Sequence, residues 1–273
     1  MTKLRLVLGV CIVLSLGVWA ASATADPNDT PLCPSAGTAV SGAHNGNFMI
    51  TGNAYVPAGS SLTVNGNLTL APGACLDAFT LADVTVHGNI LVGPGAILGL
   101  GCGPGALGPP FTQGPCYGQS TNDVVDGSII ANQPLTMYLT ADTIRGNVTS
   151  NGGGPGVTFN PYVNYPIKDS TIGGNLIVQG WQGTWFGALR NHVSGNVIVD
   201  NVVAADPDSN EVATNTVAGN LTCAGNSPAI QFGDSGGAPN LVSGNAIGQC
   251  GFNVIQPDEF YDGGGPQPIA VRP

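Results

Sequence analysis

Four ionisable residues, Lys168, Asp169, Arg190 and His192, lie close to two repeats of the dipeptide Gly-Asn. Asp169 and Arg190 each stand five residues before the glycine of their repeat, so regular repeats would stack them on adjacent turns of the chain. A polysaccharide lyase needs a base that removes a proton from the sugar and a positive charge that neutralises its acid group. The four residues offer both, and the alternative is a surface ion pair that contributes little to stability.

A second candidate is Ser235, within the pentapeptide Gly233–Gly237 of sequence Gly-Asp-Ser-Gly-Gly. This pentapeptide resembles the nucleophile loop of chymotrypsin-like serine proteases, in which the serine lies beside an oxyanion hole. Such an enzyme also needs a histidine base, which that family presents as Ala-Ala-His-Cys. The best match, around His44, lacks the cysteine, and His87 and His192 lie inside repeats. Proteolysis is therefore the less favoured interpretation.

The position of this serine relative to the repeats favours a structural turn. Asp234-Ser235 precedes one Gly-Asn repeat much as Asp208-Ser209 precedes the repeat before it. Equivalent positions in successive repeats should occupy the same corner, and Asp and Ser are common turn residues. We therefore expect both dipeptides to form corners.

Six aromatic residues are concentrated in one region between repeats. They are Phe159, Tyr162, Tyr165, Trp181, Trp185 and Phe186. Aromatic rings present a large apolar face, and those of Tyr and Trp add a polar edge, which suits a sugar ring. The alternative is that the rings cover a flank of the fold or cap a loop. A carbohydrate-binding site at Tyr162, Tyr165, Trp181, Trp185 and Phe186 is one of two open interpretations.

An acidic stretch formed by Asp200, Asp206, Asp208 and Glu211 has the oxygen ligands that calcium prefers. Its spacing does not match an EF-hand loop, so a solvated acidic turn is favoured. The cysteines also lack the paired spacing of a zinc site. The sequence therefore indicates no metal site and no cofactor.

These candidates are positioned by a repeat centred on Gly-Asn, with an apolar residue two positions before the glycine and another two positions after it. The glycines are Gly66, Gly88, Gly146, Gly174, Gly195, Gly219 and Gly244. Successive glycines from Gly146 onward are 28, 21, 24 and 25 residues apart. Alternating apolar residues are typical of strands with one buried face, and recurrence at this period is typical of a solenoid.

The sequence therefore predicts an all-β protein, a single parallel β-helix with coils of about 20–28 residues. The glycine would allow a bend, and the following Asn residues would stack into a hydrogen-bonded ladder. A polar residue four positions before the glycine marks a second corner in the later coils. These residues are Asp142, Ser170, Asn191, Asn215 and Asn240.

Domain boundaries follow from the same pattern. The 58-residue gap between Gly88 and Gly146 holds one more coil, around residues 126–129, and a Gly/Pro-rich insertion at about 99–119. We expect the β-helix domain to span 26–262. A flexible tail at 263–273 would follow it.

Residues 1–25 combine two cations, an apolar run and a small-residue stretch, which is typical of a secretory signal peptide. Its removal takes away Lys3 and Arg5 and changes the formal net charge from −10 to −12. Such a surface repels nucleic acid and anionic membranes, and no second apolar run is long enough to span a bilayer. We therefore expect no nucleic-acid partner, no membrane insertion, and a secreted or cell-surface-associated protein.

Six cysteines follow the signal peptide: Cys33, Cys75, Cys102, Cys116, Cys223 and Cys250. An even number in an exported chain favours disulfides, although six cysteines allow 15 connectivities. Nearness in sequence and position in the repeat favour pairing each cysteine with its neighbour in that order.

The alternating valines around Gly-Asn, and the stretch 64–75, resemble bacterial parallel β-helix repeat proteins. The polymer-forming bactofilins and the pectate-lyase-like β-helices are the nearest such groups. The resemblance covers most of residues 36–255 and rests on scaffold positions, so it implies a fold more than a function.

The leading functional interpretation is an exported, non-enzymatic β-helix, structural or adhesin-like and carbohydrate-binding at the cell envelope. Its partners would be polysaccharide or other envelope components, or further copies of itself. The first alternative is a pectate-lyase-like polysaccharide lyase or hydrolase, and serine proteolysis stands behind it.

Overall fold

A computed structural model describes residues 32–103, 107–108, 112–113, 119–160, 163–232 and 238–251. The described part is an all-β solenoid of parallel sheets, which confirms the predicted fold class. The signal peptide and the tail expected at the two ends of the chain lie outside the described residues, as does much of the Gly/Pro-rich insertion.

Each complete coil contributes one strand to each of three parallel sheets. Sheet I contains β2 (Gly42–His44), β5 (Ser61–Val64), β8 (Asp83–Val86), β13 (Val124–Val125), β16 (Thr143–Ile144), β19 (Thr171–Ile172), β23 (His192–Val193), β27 (Thr216–Val217) and β29 (Leu241–Val242). Sheet II contains β3 (Phe48–Ile50), β6 (Leu68–Leu70), β9 (Ile90–Val92), β14 (Ile129–Asn132), β17 (Val148–Asn151), β20 (Leu176–Gln179), β24 (Val197–Asp200), β28 (Leu221–Ala224) and β30 (Ala246–Gly248). Sheet III contains β1 (Thr38–Ala39), β4 (Asn53–Tyr55), β7 (Cys75–Ala78), β10 (Ile97–Leu100), β15 (Thr136–Thr140), β18 (Asn164–Lys168), β22 (Trp185–Leu189) and β26 (Glu211–Ala213).

Three smaller features lie outside these sheets. An antiparallel pair, β11 (Leu107–Gly108) and β12 (Thr112–Gln113), lies in the insertion. A parallel pair, β21 (Gln182–Gly183) and β25 (Val203–Ala204), lies between sheets II and III. A 3₁₀ helix, η1 (Gln249–Gly251), ends the described chain.

The core is a column of apolar side chains enclosed by the three sheets. In β20, Leu176 and Val178 are buried while Ile177 and Gln179 face outward, and β17, β24 and β28 show the same alternation. Burying one such side chain stabilises the fold by about 1.5–3 kcal/mol. The apolar positions on either side of the Gly-Asn dipeptide therefore form the interior, as the repeat predicts.

The corner between sheets I and II is built from two stacked ladders. The N–H of each corner glycine donates to the carbonyl of the glycine one coil before, as in Gly195 to Gly174 at 2.8 Å. The next N–H donates to the side-chain oxygen of the Asn below it, as in Asn196 to Asn175 at 2.8 Å. The Asn ladder runs through Asn47, Asn67, Asn89, Ser128, Asn147, Asn175, Asn196, Asn220 and Asn245. The predicted ladder is confirmed, with Ser128 replacing Asn in the coil after the insertion.

The reason for glycine at this corner differs from the bend expected from the sequence. None of the corner glycines from Gly66 to Gly244 has a positive φ. Instead, a Cβ at Gly195 would lie 2.5 Å from Asn175 Oδ1 and 2.7 Å from the Gly174 carbonyl oxygen. Glycine is required because the preceding coil occupies the space that a side chain would need.

The corner between sheets III and I places non-glycine residues in the left-handed region of backbone space. Ala141, Asp169, Arg190 and Thr214 have φ values of 61°, 56°, 56° and 58°. The residue after each of them is buried and polar, and it continues a second ladder, as in Asn191 N–H to Asn215 Oδ1 at 2.9 Å. The predicted second corner is therefore present.

One disulfide ties the segment before β1 to β7, and another joins β28 to η1. Cys33 pairs with Cys75, with Cα atoms 5.7 Å apart, and Cys223 pairs with Cys250, with Cα atoms 5.3 Å apart. Cys102 is also disulfide-bonded, but its expected partner Cys116 lies outside the described residues. Two of the three predicted pairings are thus confirmed.

Replacing Gly195 by Ala tests the corner. We expect a loss of about 1–3 kcal/mol in the free energy of unfolding, because the new methyl group overlaps the backbone of the preceding coil. Chemical denaturation followed by circular dichroism measures this loss. Gly52→Ala is the matched control, since no atom lies within 4 Å of a Cβ there and its φ is not positive. Equal stability of both variants and the parent would show that the corner tolerates a side chain.

Candidate functional site

The ionisable group singled out from the sequence lies at the corner between sheets III and I. Asp169 and Arg190 stack on adjacent coils, and the guanidinium Nε and Nη2 atoms lie 2.6 and 2.8 Å from the two carboxylate oxygens. This hydrogen bonding raises the pKa of Arg190, so the residue remains a cation. A guanidinium that keeps its proton and is neutralised by a carboxylate is poorly suited to act as the base of a lyase.

Lys168 joins the same corner through an aromatic ring. Its Nζ atom lies 4.7 Å from the centre of the Trp185 ring, within the range of a cation–π interaction. The ring lies over Gly187, where a Cβ would come within 2.1 Å of it, and its Nε1 donates to Glu211 at 3.0 Å. Glu211 is fully buried. The cluster therefore joins three consecutive strands of sheet III by pairing a cation, a ring and a buried carboxylate.

His192 does not complete a cleft with these residues. It begins β23 of sheet I, in register with Thr171 on one side and Thr216 on the other, and it is exposed. The corner backbone separates it from the outer surface of sheet III that Lys168 and Trp185 share. The structure therefore brings together three of the four predicted lyase residues and leaves the fourth on another sheet.

The aromatic residues expected to form an exposed sugar platform are mostly interior. Tyr165, Trp181 and Phe186 are fully buried, and Trp185 is 9% exposed. Tyr165 packs between the other two interior rings, at centroid distances of 5.1 Å from Trp181 and 6.0 Å from Phe186. Their faces are covered by protein, so the expected platform is wrong for these four residues.

The remaining two aromatic residues differ from those four. Phe159 is exposed, with 63% of its surface accessible. Tyr162 lies outside the described residues. Tyr165, Trp181 and Phe186 belong to the same buried core as the aliphatic side chains of the other coils.

Ser235 lies outside the described residues, so its expected corner position stays a prediction. Its proposed counterpart Ser209 is described. Ser209 is buried, and its hydroxyl accepts a hydrogen bond from the Phe186 N–H at 2.9 Å. Ser209 therefore has a structural role in the fold.

The histidines nearest the first coils also have structural contacts. His44 takes an inward position, aligned with Val64, and its ring stacks on Phe48 at 3.9 Å between centroids. His87 Nδ1 lies 2.7 Å from Asp126 Oδ2, and Asp126 also pairs with Arg145 at 3.0 Å. The histidine hydrogen bond is the main reason that the pKa of Asp126 is lowered.

The acidic stretch does not converge on an ion site. Glu211 is used by Trp185, and Asp206 accepts the Asp208 N–H at 3.0 Å. Within the residues that the structure describes, no three His, Cys, Asp or Glu side chains are grouped closely enough to hold a metal ion. The described ranges also contain no helix that is long and apolar enough to cross a membrane.

The repeat pattern identified only one of two buried acids that lie side by side. Asp142 was assigned to the second corner, and Asp123, the equivalent residue one coil earlier, is buried beside it with 0% of its surface exposed. Burial raises the pKa of Asp123 to about 7, and burial together with the Asp123 charge raises that of Asp142 well above its usual value. Later coils have Asn at this position, so protonated acids here fill the role of neutral amides.

The surroundings of this pair are mainly backbone. N–H groups of Val84 and Gly101 face Asp123, the N–H of Thr140 faces Asp142, and the nearest further charge is the exposed Asp83. Two like-charged carboxylates in a dry corner cannot both ionise without a large penalty. The pair is therefore a proton-dependent element of the fold.

Sequence reasoning also missed the outer surface of sheet II. The residue three positions after each repeat glycine faces outward, yet it is apolar or Thr: Met49, Thr69, Leu91, Ile130, Thr149, Ile177, Ile198, Thr222 and Ile247. The signal was present in the sequence, because the position three residues after the repeat glycine is uncharged in every coil.

Comparison with protein-family models, with curated proteins and with solved structures gives no match. The parallel β-solenoid is shown by the structure itself, whereas a specific relationship to bactofilins or pectate lyases has no support from these comparisons.

Stability should fall as pH rises because of the buried acids. Folding raises both pKa values, so the stabilising contribution of the neutral acids is complete below about pH 4 and that of Asp123 is lost as pH rises through about 7. One pKa unit corresponds to about 1.4 kcal/mol, so we expect a decrease on the order of 2–4 kcal/mol in the free energy of unfolding between about pH 5 and about pH 8. The double variant Asp123→Asn and Asp142→Asn should remove most of this decrease and stabilise the protein at the higher pH, because burial raises the pKa of either acid that remains.

Denaturant titrations at several pH values measure the effect. Asp206→Asn is the control, because it removes the same charge from a partly exposed site and keeps an oxygen that can accept the Asp208 N–H. An unchanged pH dependence in the variant that carries both substitutions would contradict the protonated pair.

Trp185→Phe tests whether this tryptophan is structural. The change leaves buried Glu211 without its indole donor, so we expect a loss of about 1–3 kcal/mol in unfolding free energy. Phe159→Leu, at the exposed ring, should change stability by less than about 0.5 kcal/mol. If Trp185→Phe instead abolished polysaccharide binding and left stability intact, the ring would be part of a binding site.

Proposed function

We propose that the protein is an exported, non-enzymatic β-solenoid that acts as a rigid structural element and binds carbohydrate at the cell envelope. The observation that carries this proposal is the continuous outer surface of sheet II, whose strands stay in register from β3 to β30. Function in such a molecule comes from repeated surface groups held at fixed spacing.

The state of the ionisable residues supports a non-enzymatic role. Arg190 is neutralised by Asp169, Lys168 lies over the Trp185 ring, and the buried acids of the second corner are shielded from solvent. An active centre needs a group that can change its protonation state in contact with substrate. The outer corner cluster offers charges that are already paired.

The disulfides support an extracellular location. Disulfides persist in oxidising compartments, and two of them link coils at opposite ends of the described solenoid. They are compatible with export, and the signal peptide expected at residues 1–25 supplies the route.

A polysaccharide panel tests this function. The exported chain is incubated with insoluble cellulose, chitin and bacterial cell-wall sacculi, and both co-sedimentation and the release of new sugar ends are recorded. We expect binding to at least one polymer without release of sugar ends.

Release of sugar ends that is lost in Arg190→Ala would identify an enzyme and contradict the proposal. Arg190→Lys serves as the matched control, because it keeps a cation but not the two-point contact with Asp169. Absence of binding to every polymer would remove the carbohydrate-binding part of the proposal.

A further inference from the structure

The outer surface of sheet II carries three parallel rows of side chains, which we call the outer strip. Strands β14, β17, β20 and β24 pair in parallel and in register, so equivalent residues lie directly above one another. The corner row is Ser128, Asn147, Asn175 and Asn196, the middle row is Ile130, Thr149, Ile177 and Ile198, and the edge row is Asn132, Asn151, Gln179 and Asp200.

The chemistry of the strip is apolar in the middle and amide-rich on both sides. The middle row is half-buried or exposed, with Ile130 44% exposed. Asn132 and Asn151 in the edge row are exposed, and within the described residues no other side chain binds their amides. An amide offers both donors and an acceptor. A sugar ring has complementary chemistry, because its C–H face is apolar and its hydroxyl groups project from the rim.

The charge of the strip favours a neutral ligand. Asp200 is the only charged residue among the twelve positions of the three rows. Beside the strip, at the corner between sheets I and II, Asp126 binds both His87 and Arg145, so the charges of that group are paired with one another. An acidic polymer would gain no cation on the strip, and this chain has a net negative charge that repels it.

The spacing of the rows favours a polymer over a single sugar. Neighbouring strands lie about 4.7–4.9 Å apart, so the same groups recur at that interval along the solenoid axis. An extended chain of repeating sugar units can contact several coils at once, and weak contacts then combine into useful affinity. A single sugar would contact only one or two strands of a flat surface.

We propose that the outer strip is the binding site for a neutral, extended polysaccharide chain that lies along the solenoid axis. The middle row packs against the C–H faces of successive sugar units, and the edge-row amides hydrogen-bond their hydroxyl groups, since the corner-row amides are bonded to one another in the Asn ladder. This inference rests on the proposed carbohydrate-binding function and adds the site and the class of polymer.

Charge introduced into the middle row tests the site. The exported chain carrying Ile177→Lys and Ile198→Lys is compared with the parent for co-sedimentation with microcrystalline cellulose and with chitin. We expect the affinity to fall roughly tenfold or more, because a lysine displaces the apolar contact and must be desolvated under the ligand. The double variant Asn151→Ala and Gln179→Ala removes amides without adding charge, and it should also weaken binding.

Thr171→Lys and Thr216→Lys form the matched control, because they add the same charge at exposed positions of sheet I. Thermal unfolding confirms that all variants are folded. The control should bind cellulose or chitin like the parent.

Three results would overturn the inference. Equal binding by the strip variants and the parent would place the carbohydrate site elsewhere and leave the proposed function standing. Binding to polygalacturonate but to neither neutral polymer would refute the polymer class. A concentration-dependent dimer in sedimentation velocity that the strip variants abolish, without any polymer binding, would make the strip an interface between two copies.

Discussion

The structure depends on the close stacking of one Gly-Asn corner on the next. Each Asn side-chain oxygen accepts an N–H from the following coil, and each glycine carbonyl accepts another. These bonds fix the vertical spacing and the register together, and a Cβ at the glycine would separate the coils. Because the corner lies between sheets I and II, those two sheets remain regular through all nine strands.

This corner allows the other parts of each coil to vary. Sheet III and its connections absorb differences in coil length, and the interior there changes from aliphatic residues to the cluster of Tyr165, Trp181 and Phe186. The second ladder similarly accepts Asp123 and Asp142 where later coils have Asn. That exchange keeps the shape of the corner, but it makes the neutral, protonated form of the acids part of the folded state.

Rigidity and repetition, rather than a reactive centre, are what this architecture offers for function. The described ionisable groups near sheet III are paired with one another, and the aromatic rings there support the fold from inside and outside. The surface with the most regular chemistry is the outer strip on sheet II, because the Gly-Asn ladder beneath it enforces a constant interval. A site on such a surface is preorganised, which reduces the entropy lost on binding.

The sequence by itself determined the solenoid, the strands on either side of Gly-Asn, both polar corners and the pairings of Cys33 and Cys223, because each of these features repeats or is local along the chain. Only the tertiary structure decided that Trp181 lies inside, that Glu211 aligns with Gln231, and that Asp123 lies beside Asp142. These outcomes depend on how the irregular connections of each coil are stacked on those of the next. Their lengths vary, so residues that are distant in sequence come together through stacking that no periodic pattern encodes.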